Sequence, residues 1–217
     1  MAASPRAFVL RHTRLRPLAG LEDIRLHLAD DVLPVWRALQ VETNDAEAAL
    51  PYWAAAWGGG LAIARHLADH PGTAAGRRVY DLASGSGLCA IAAARAGATR
   101  VEAVDIDPFA VAAIELNAKA NGSRIDAARR DALADPPPDA EVLLAGDCWY
   151  DAGLAARALP WLRQASEQGV DVLVGDPGRA YLPVDALVEV AAYEVRTTSD
   201  VEDLAFTTAR VYRLASP

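Results

Sequence analysis

The sequence predicts an α/β protein. It would hold a doubly wound, mostly parallel seven-stranded sheet with an antiparallel C-terminal hairpin and a short N-terminal extension. Three observations carry that expectation. From residue 76 onward, short apolar runs alternate with helical patterns, the mark of parallel strands joined by crossovers. A glycine-rich turn, Ser84-Gly85-Ser86-Gly87, directly follows the first of those runs. The last two strand-like runs have only a loop between them, too little chain for a parallel crossover, so they must pair antiparallel.

The elements follow in order. Phe8-Val9-Leu10 is β-compatible and reads as a strand or arm. Residues 24–40 read as a strand, then a short helix after Pro34, and 41–50 as a polar loop. Leu61, Ile63, Ala64, Leu67 and Ala68 share one helical face, and Pro71-Gly72 ends that helix. Strands are expected at 77–82, 100–105, 124–128, 141–145 and 170–175. Helices are expected at 88–96, 108–120, 153–168 and 184–192, with Pro160 a candidate interruption in the third. The final strands are 193–198 and 205–214. Residues 1–50 form the extension and 51–217 the main domain.

Composition excludes several function classes. The 217 residues carry a net charge of −8, with 53% hydrophobic and 23% charged residues, which is globular composition. A nucleic-acid partner calls for a basic field, and this chain has none. No apolar run approaches the ~20 residues of a membrane helix. Cys89 and Cys148 are the only cysteines, which gives no disulfide framework and fits a reducing cytoplasm. A monomer is expected. The first twenty residues hold Arg6, Arg11, Arg14 and Arg16 and no acid. That has the flavour of a transit peptide, but an Arg-biased strand or arm is the preferred reading.

The glycine turn raises the question of its ligand. Gly85-x-Gly87-x-x-Ala90 fits the loose dinucleotide fingerprint, so the glycines alone decide little. Asp81 decides more, because it ends the first strand, where open α/β sheets bind ligands. A carboxylate opposite a pyrophosphate adds like-charge repulsion, and no Arg or Lys lies between Val79 and Ala94 to offset it. S-adenosylmethionine carries an ammonium and a sulfonium and no phosphate, so an acid helps, and the loop amides can take its carboxylate. The plain alternative is that Asp81 only caps the turn. Asp105, at the end of the next strand, is placed to bridge two ribose hydroxyls; Asp107, just before Pro108, is the better N-cap. Ile106 would lie against the adenine face. Asp131 would accept a bond from the adenine amino group, unless it is merely a solvated loop acid.

Two other constellations are weaker. His66 and His70 stand i, i+4 on one helix, but with no adjacent Glu or third ligand they read as a solvated face rather than a metal site. Cys148 has no nearby histidine, and Asp147 beside it makes the thiol harder to ionise, so it is not read as a nucleophile.

Four stretches carry a resemblance. They are Pro51-Tyr52-Trp53-Ala54 with Trp57 and Gly59-Gly60; the Asp81–Gly87 turn with Ile91-Ala92-Ala93; Asp105-Ile106-Asp107-Pro108 leading to Leu116-Asn117; and Gly146-Asp147-Cys148-Trp149-Tyr150-Asp151, answered by Gly175-Asp176-Pro177-Gly178-Arg179. On these the chain resembles the seven-strand, class I S-adenosylmethionine-dependent methyltransferases, and more narrowly the electron transfer flavoprotein β-subunit lysine methyltransferase group. The resemblance spans roughly residues 20–217.

It implies a cytoplasmic protein-lysine N-methyltransferase acting on an electron transfer flavoprotein-like substrate, with a small nicotinamide-like amine as the alternative acceptor. A nicotinamide-dependent oxidoreductase and a non-catalytic S-adenosylmethionine sensor remain the readings of other classes. Trp57 and Gly59 join Asp81, Ala83, Gly85 and Gly87 as expected cofactor contacts, ahead of Asp105, Ile106 and Asp131. The family's D-x-x-Y element implies that Asp147 and Tyr150 line the acceptor site. There Asp147 would orient an amine that, with a pKa near 10.4, is neutral about once in 2,500 molecules at pH 7. Trp53, Trp57 and Trp149 would form a cation-tolerant aromatic surround, unless all three are plain packing, and Arg179 would face an acidic patch on the substrate or tie back to Asp176. The family usually has glycine where this chain has Ala83. The methyl is tolerable there only if the backbone angle is ordinary.

Overall fold

The computed structural model describes residues 4–197 and 206–215. The first feature departs from expectation. Residues Pro5–His12 form a helix, α1, and not a strand: Ser4 caps it by accepting from the Ala7 N–H, and Pro5 supplies the fixed φ that suits a first turn. Phe8 and Val9 are fully buried, so the β-compatible side chains serve a helix face because the cap outweighs propensity. Strands β1 (Arg14–Leu18) and β2 (Leu21–Leu28) make a separate antiparallel hairpin. Helix α2 (Val32–Thr43) begins before Pro34, because Asp31 caps it and a proline is tolerated in the first turn.

The main sheet has seven strands in the order β5-β4-β3-β6-β7-β9-β8. They are β3 (Arg78–Leu82), β4 (Arg100–Asp105), β5 (Asp126–Arg129), β6 (Val142–Gly146), β7 (Asp171–Asp176), β8 (Leu187–Val195) and β9 (Thr207–Leu214). β3 to β7 run parallel, and β9 pairs antiparallel with both β7 and β8, as the sequence predicts. The expected helix over 184–192 is absent: a single 3-10 turn, Val184–Ala186, leads into β8. Its Leu-Val-Glu-Val-Ala-Ala-Tyr-Glu-Val pattern alternates in burial toward its end, as an edge strand does. Residues 198 and 205 of the two expected final strands lie outside the described residues.

Alternation of buried side chains splits the core across the sheet. Val79, Val142, Leu144 and Leu173 face helices α3 (Gly58–Asp69) and α4 (Leu88–Arg95). Tyr80, Leu143, Val172 and Val174 face α6 (Ala152–Glu167), which continues through Pro160. A third cluster joins Phe8, Val35, Leu39 and Trp53 to Phe109 and Leu116 of α5 (Pro108–Ala120). His66 is buried against the Tyr193 hydroxyl, 3.3 Å away, and so is not part of a solvated face.

The start of α3 is pressed onto the sheet. A Cβ at Gly59 would land on the Gly175 carbonyl, and one at Gly175 on the Gly59 carbonyl. Gly60, by contrast, has only ordinary contacts at 3.7 Å around its would-be Cβ. Gly59→Ala should therefore cost about 3 kcal/mol or more in denaturant unfolding. Gly60→Ala should be neutral or stabilising by up to about 1 kcal/mol, because glycine is the poorer helix former.

Candidate active site

A cleft of about 480 Å³ opens at the carboxyl ends of β3, β4 and β6. The strand order reverses beside β3, which makes this the topological switch point of the sheet. Its volume lies in the range of small-ligand pockets.

The first wall is the turn after β3. Asp81 is 1% exposed, and its carboxylate accepts from the Ser84 hydroxyl at 2.5 Å and from the Ala90 N–H of α4 at 3.1 Å. It therefore caps the turn and lines the cleft at once, which merges the two readings of this residue. Burial lifts its pKa to about 7. Gly85 has φ 54° and lines the cleft. Gly87 has φ 81° but does not line it: a Cβ there would meet Ile114 Cα at 3.3 Å. Glycine is thus required there by the packing of α4 on α5. Gly59 does not line the cleft; its N–H is donated to Asp147 at 2.9 Å, and its Cα faces the Gly175 carbonyl.

Ala83 lines the cleft at φ 49°. The backbone angle is not ordinary, and a non-glycine residue there is strained by about 1–2 kcal/mol. Ala83→Gly should raise stability by about 0.5 kcal/mol after the added entropy of the unfolded chain is subtracted. The midpoint of denaturant unfolding measures it.

The second and third walls are acidic. Asp105 accepts from the Gly85 N–H at 2.9 Å and the Asp107 N–H at 3.0 Å, tying the two loops together; burial raises its pKa. Asp107 caps α5 as expected. Ile106 is 65% exposed on the cleft wall, a free apolar face. Asp131 also lines the cleft, but it caps the 3-10 turn Ala132–Ala134 and pairs with Arg157 of α6 at 2.6 Å. Both its oxygens are engaged, a tie that sequence alone did not expose. Asn117 was quoted in a motif but given no role. It is fully buried, donates to the Ser86 carbonyl at 2.8 Å and accepts from the His27 N–H at 2.7 Å.

The far end of the cleft is built around Asp147. This residue has φ 59° and directs its carboxylate at the first turn of α3. It accepts from the Gly59 N–H at 2.9 Å and the Gly60 N–H at 2.6 Å, and pairs with Arg179. Arg179 also pairs with Asp176 at 3.2 Å, so the tie back to Asp176 is present and Asp147 shares it. Tyr150 is 44% exposed, and its ring lies 4.6 Å from that of Tyr52, tilted by 32°. Tyr52, given no role from sequence, is thus the partner of Tyr150; it stands in the same Pro51–Ala54 motif. Trp57 lines the cleft, with its indole N–H donated to the Tyr52 carbonyl at 2.7 Å.

The aromatic surround is smaller than expected. Trp53 lines the cleft but is 1% exposed, its ring packed against Phe8 and Phe109. Trp149 is fully buried in the α6-side core and does not line the cleft. Trp149 therefore presents no face to a ligand in the cleft. Cys148 is buried at the cleft, and burial first, then Asp147, pushes its thiol far up from its ordinary value, which agrees with its exclusion as a nucleophile.

Comparison with known proteins identifies the family. A family model described as ribosomal protein L11 methyltransferase (PrmA) matches residues 67–143. The electron transfer flavoprotein beta subunit lysine methyltransferase of Xenopus laevis is 34% identical over 217 residues, covering 97% of this chain and 87% of that protein. The human protein of the same name is 36% identical over 168 residues, covering 75% of this chain and 64% of that one. Among solved structures, TrmN from Thermus thermophilus is similar in fold, with a TM-score of 0.52 and 25% identity over 70% of this chain and 48% of that chain. The full-length match to the frog protein sets aside the oxidoreductase reading of the glycine turn. The chain belongs to the electron transfer flavoprotein β-subunit lysine methyltransferase family.

Proposed function

We propose that the protein transfers a methyl group from S-adenosylmethionine to a lysine amine on a protein, with the electron transfer flavoprotein β subunit as the substrate its relatives' name points to. The observation that carries the cofactor assignment is the charge of the cleft. Asp81, Asp105, Asp107 and Asp131 line it. Of the cations there, Arg157 is paired with Asp131 and Arg130 with Glu102. Such a wall disfavours a diphosphate and suits a ligand bearing an ammonium and a sulfonium. Asp81 would hold the ammonium, the loop amides beside α4 the carboxylate, Asp105 the ribose, and Ile106 the base. Bound there, S-adenosylmethionine supplies an electrophilic methyl.

At the other end, Asp147 and Tyr150 would line the acceptor site, as the family's D-x-x-Y element implies. The amine must arrive with a free lone pair. Its ammonium proton goes to water, the lone pair forms the N–C bond, and the S–C bond breaks with its electrons left on sulfur. Asp147 is bonded to α3 and Arg179, so its part is to fix the wall against which the amine is aimed. The Tyr52–Tyr150 pair flanks the approach and excludes water.

Radiolabelled S-adenosylmethionine should label the electron transfer flavoprotein β subunit; label confined to small molecules would sink the protein-substrate reading. Asp147→Asn should slow transfer about 100-fold through misplacement of the acceptor, while cofactor affinity by calorimetry changes less than threefold.

Asp81 gives the cofactor step a pH dependence. Its folded pKa, about 7, lies above the ordinary 3.8, so the fold holds this proton more tightly than the unfolded chain does. Its contribution to stability is complete below pH 3.8 and is lost as pH rises through 7. A cation bound beside it favours the ionised form. Affinity for S-adenosylmethionine should then rise with pH, by at most about tenfold per unit, between pH 5.5 and 7 and level off above. Asp81→Asn should flatten that slope.

A further inference from the structure

The acceptor end of the cleft holds a charge arrangement that orientation alone does not require. Arg179 is fixed between two carboxylates, Asp147 and Asp176, and its side chain is 17% exposed. The Asp176 side chain is fully buried and also accepts from the Gly178 N–H at 2.7 Å and the Arg179 N–H at 2.6 Å. Arg179 lines the same cleft as Asp147, Tyr150 and Tyr52. A lysine ammonium brought to a bare Asp147 would be stabilised as the ammonium, the unreactive form. Arg179, shared between Asp147 and Asp176, and the positive end of α3 offset part of that negative charge.

We infer that Arg179 is a positioning residue that tunes the protonation of the acceptor: its guanidinium, held on Asp147 and Asp176, weakens the slot's preference for the ammonium and so eases the loss of its proton. The inference rests on the acceptor assignment above. The proton released from the ammonium passes to water and not to Asp147.

The other titratable groups facing the slot do not supply this effect. From the segment after β6, Tyr150 and Cys148 are held in their neutral forms by burial, and Asp151 is engaged in capping α6. From the 3-10 turn before α3, the Tyr52 phenol is raised by burial, and from α4 the Cys89 thiol likewise. Asp81 and Asp105 stand on the cofactor wall, bonded to their own loops. Arg179 is thus the cation that offsets Asp147 at this end.

The test has two arms. In the first, the pH profile of kcat is measured for wild type, Arg179→Gln and Arg179→Lys. Arg179→Gln should lower KM, lower kcat about tenfold at pH 7, and move the alkaline limb up by about one pH unit. Arg179→Lys, which keeps the charge, should restore the wild-type limb. In the second arm, n-butylamine is titrated by NMR into the protein saturated with S-adenosylhomocysteine, and the pKa of the bound amine is read from the pH dependence of its signals. That pKa should be about one unit higher in Arg179→Gln than in wild type. An equal pKa in wild type and Arg179→Gln, or in wild type and Arg179→Met should the Gln variant not fold, overturns the inference. So does an unmoved limb in Arg179→Gln, or a limb moved as far by Lys as by Gln. If no protein lysine is methylated, the proposed function fails, and the amine titration still decides the role of Arg179.

Discussion

Asp147 is where fold and site become the same structure. A helix that starts with three glycines has no side chain of its own to satisfy its first N–H groups, and its propensity is poor. The carboxylate of Asp147 accepts from two of those groups. The glycines in turn allow the helix to lie on the backbone of Gly175 with nothing between. The Asp147 N–H closes the arrangement by donating to the Gly175 carbonyl at 2.9 Å. The ends of β6 and β7 and the start of α3 are thus one hydrogen-bonded unit, and the acceptor side of the cleft is its outer surface. The same residue that defines the site in sequence is the residue that holds the wall in place.

The electrostatics divide along the cleft. One end gathers Asp81, Asp105 and Asp107, which accept mainly from backbone N–H groups, and Asp131, which is paired with Arg157. The other end sets a guanidinium and a helix terminus against Asp147 and Asp176. In the proposed reaction, the first end would hold a cation and the second would ease the loss of a proton from one.

Much of this was legible in the sequence because it is periodic. The five parallel strands and the four helices α3 to α6 follow from runs of Val, Leu and Ala with the right spacing, and the antiparallel ending follows from loop length alone. What escaped was decided by caps and long-range packing. α1 was hidden because Phe8-Val9-Leu10 reads as strand until Ser4 is recognised as its cap. β8 was hidden because its Ala-Ala centre resembles a helix, while its pairing with β9 lies more than a dozen residues away in the chain. Trp53 and Trp149 sit in functional motifs yet fill the core, since indole volume serves packing as readily as recognition. Ala83 showed only that glycine was missing. The left-handed angle that makes this costly belongs to the folded loop.

Asn117 carries a consequence for the role of the first thirty residues. Its single amide group touches the ligand loop through Ser86 and the edge of the N-terminal hairpin through His27, while Asn121, one turn on, holds the same strand through Arg25. The hairpin is thereby in mechanical register with the floor of the cofactor pocket. Trimming the chain back to its first core strand would leave a buried carboxamide oxygen with no donor, and the disturbance would travel one side chain to the loop that has to meet the ligand.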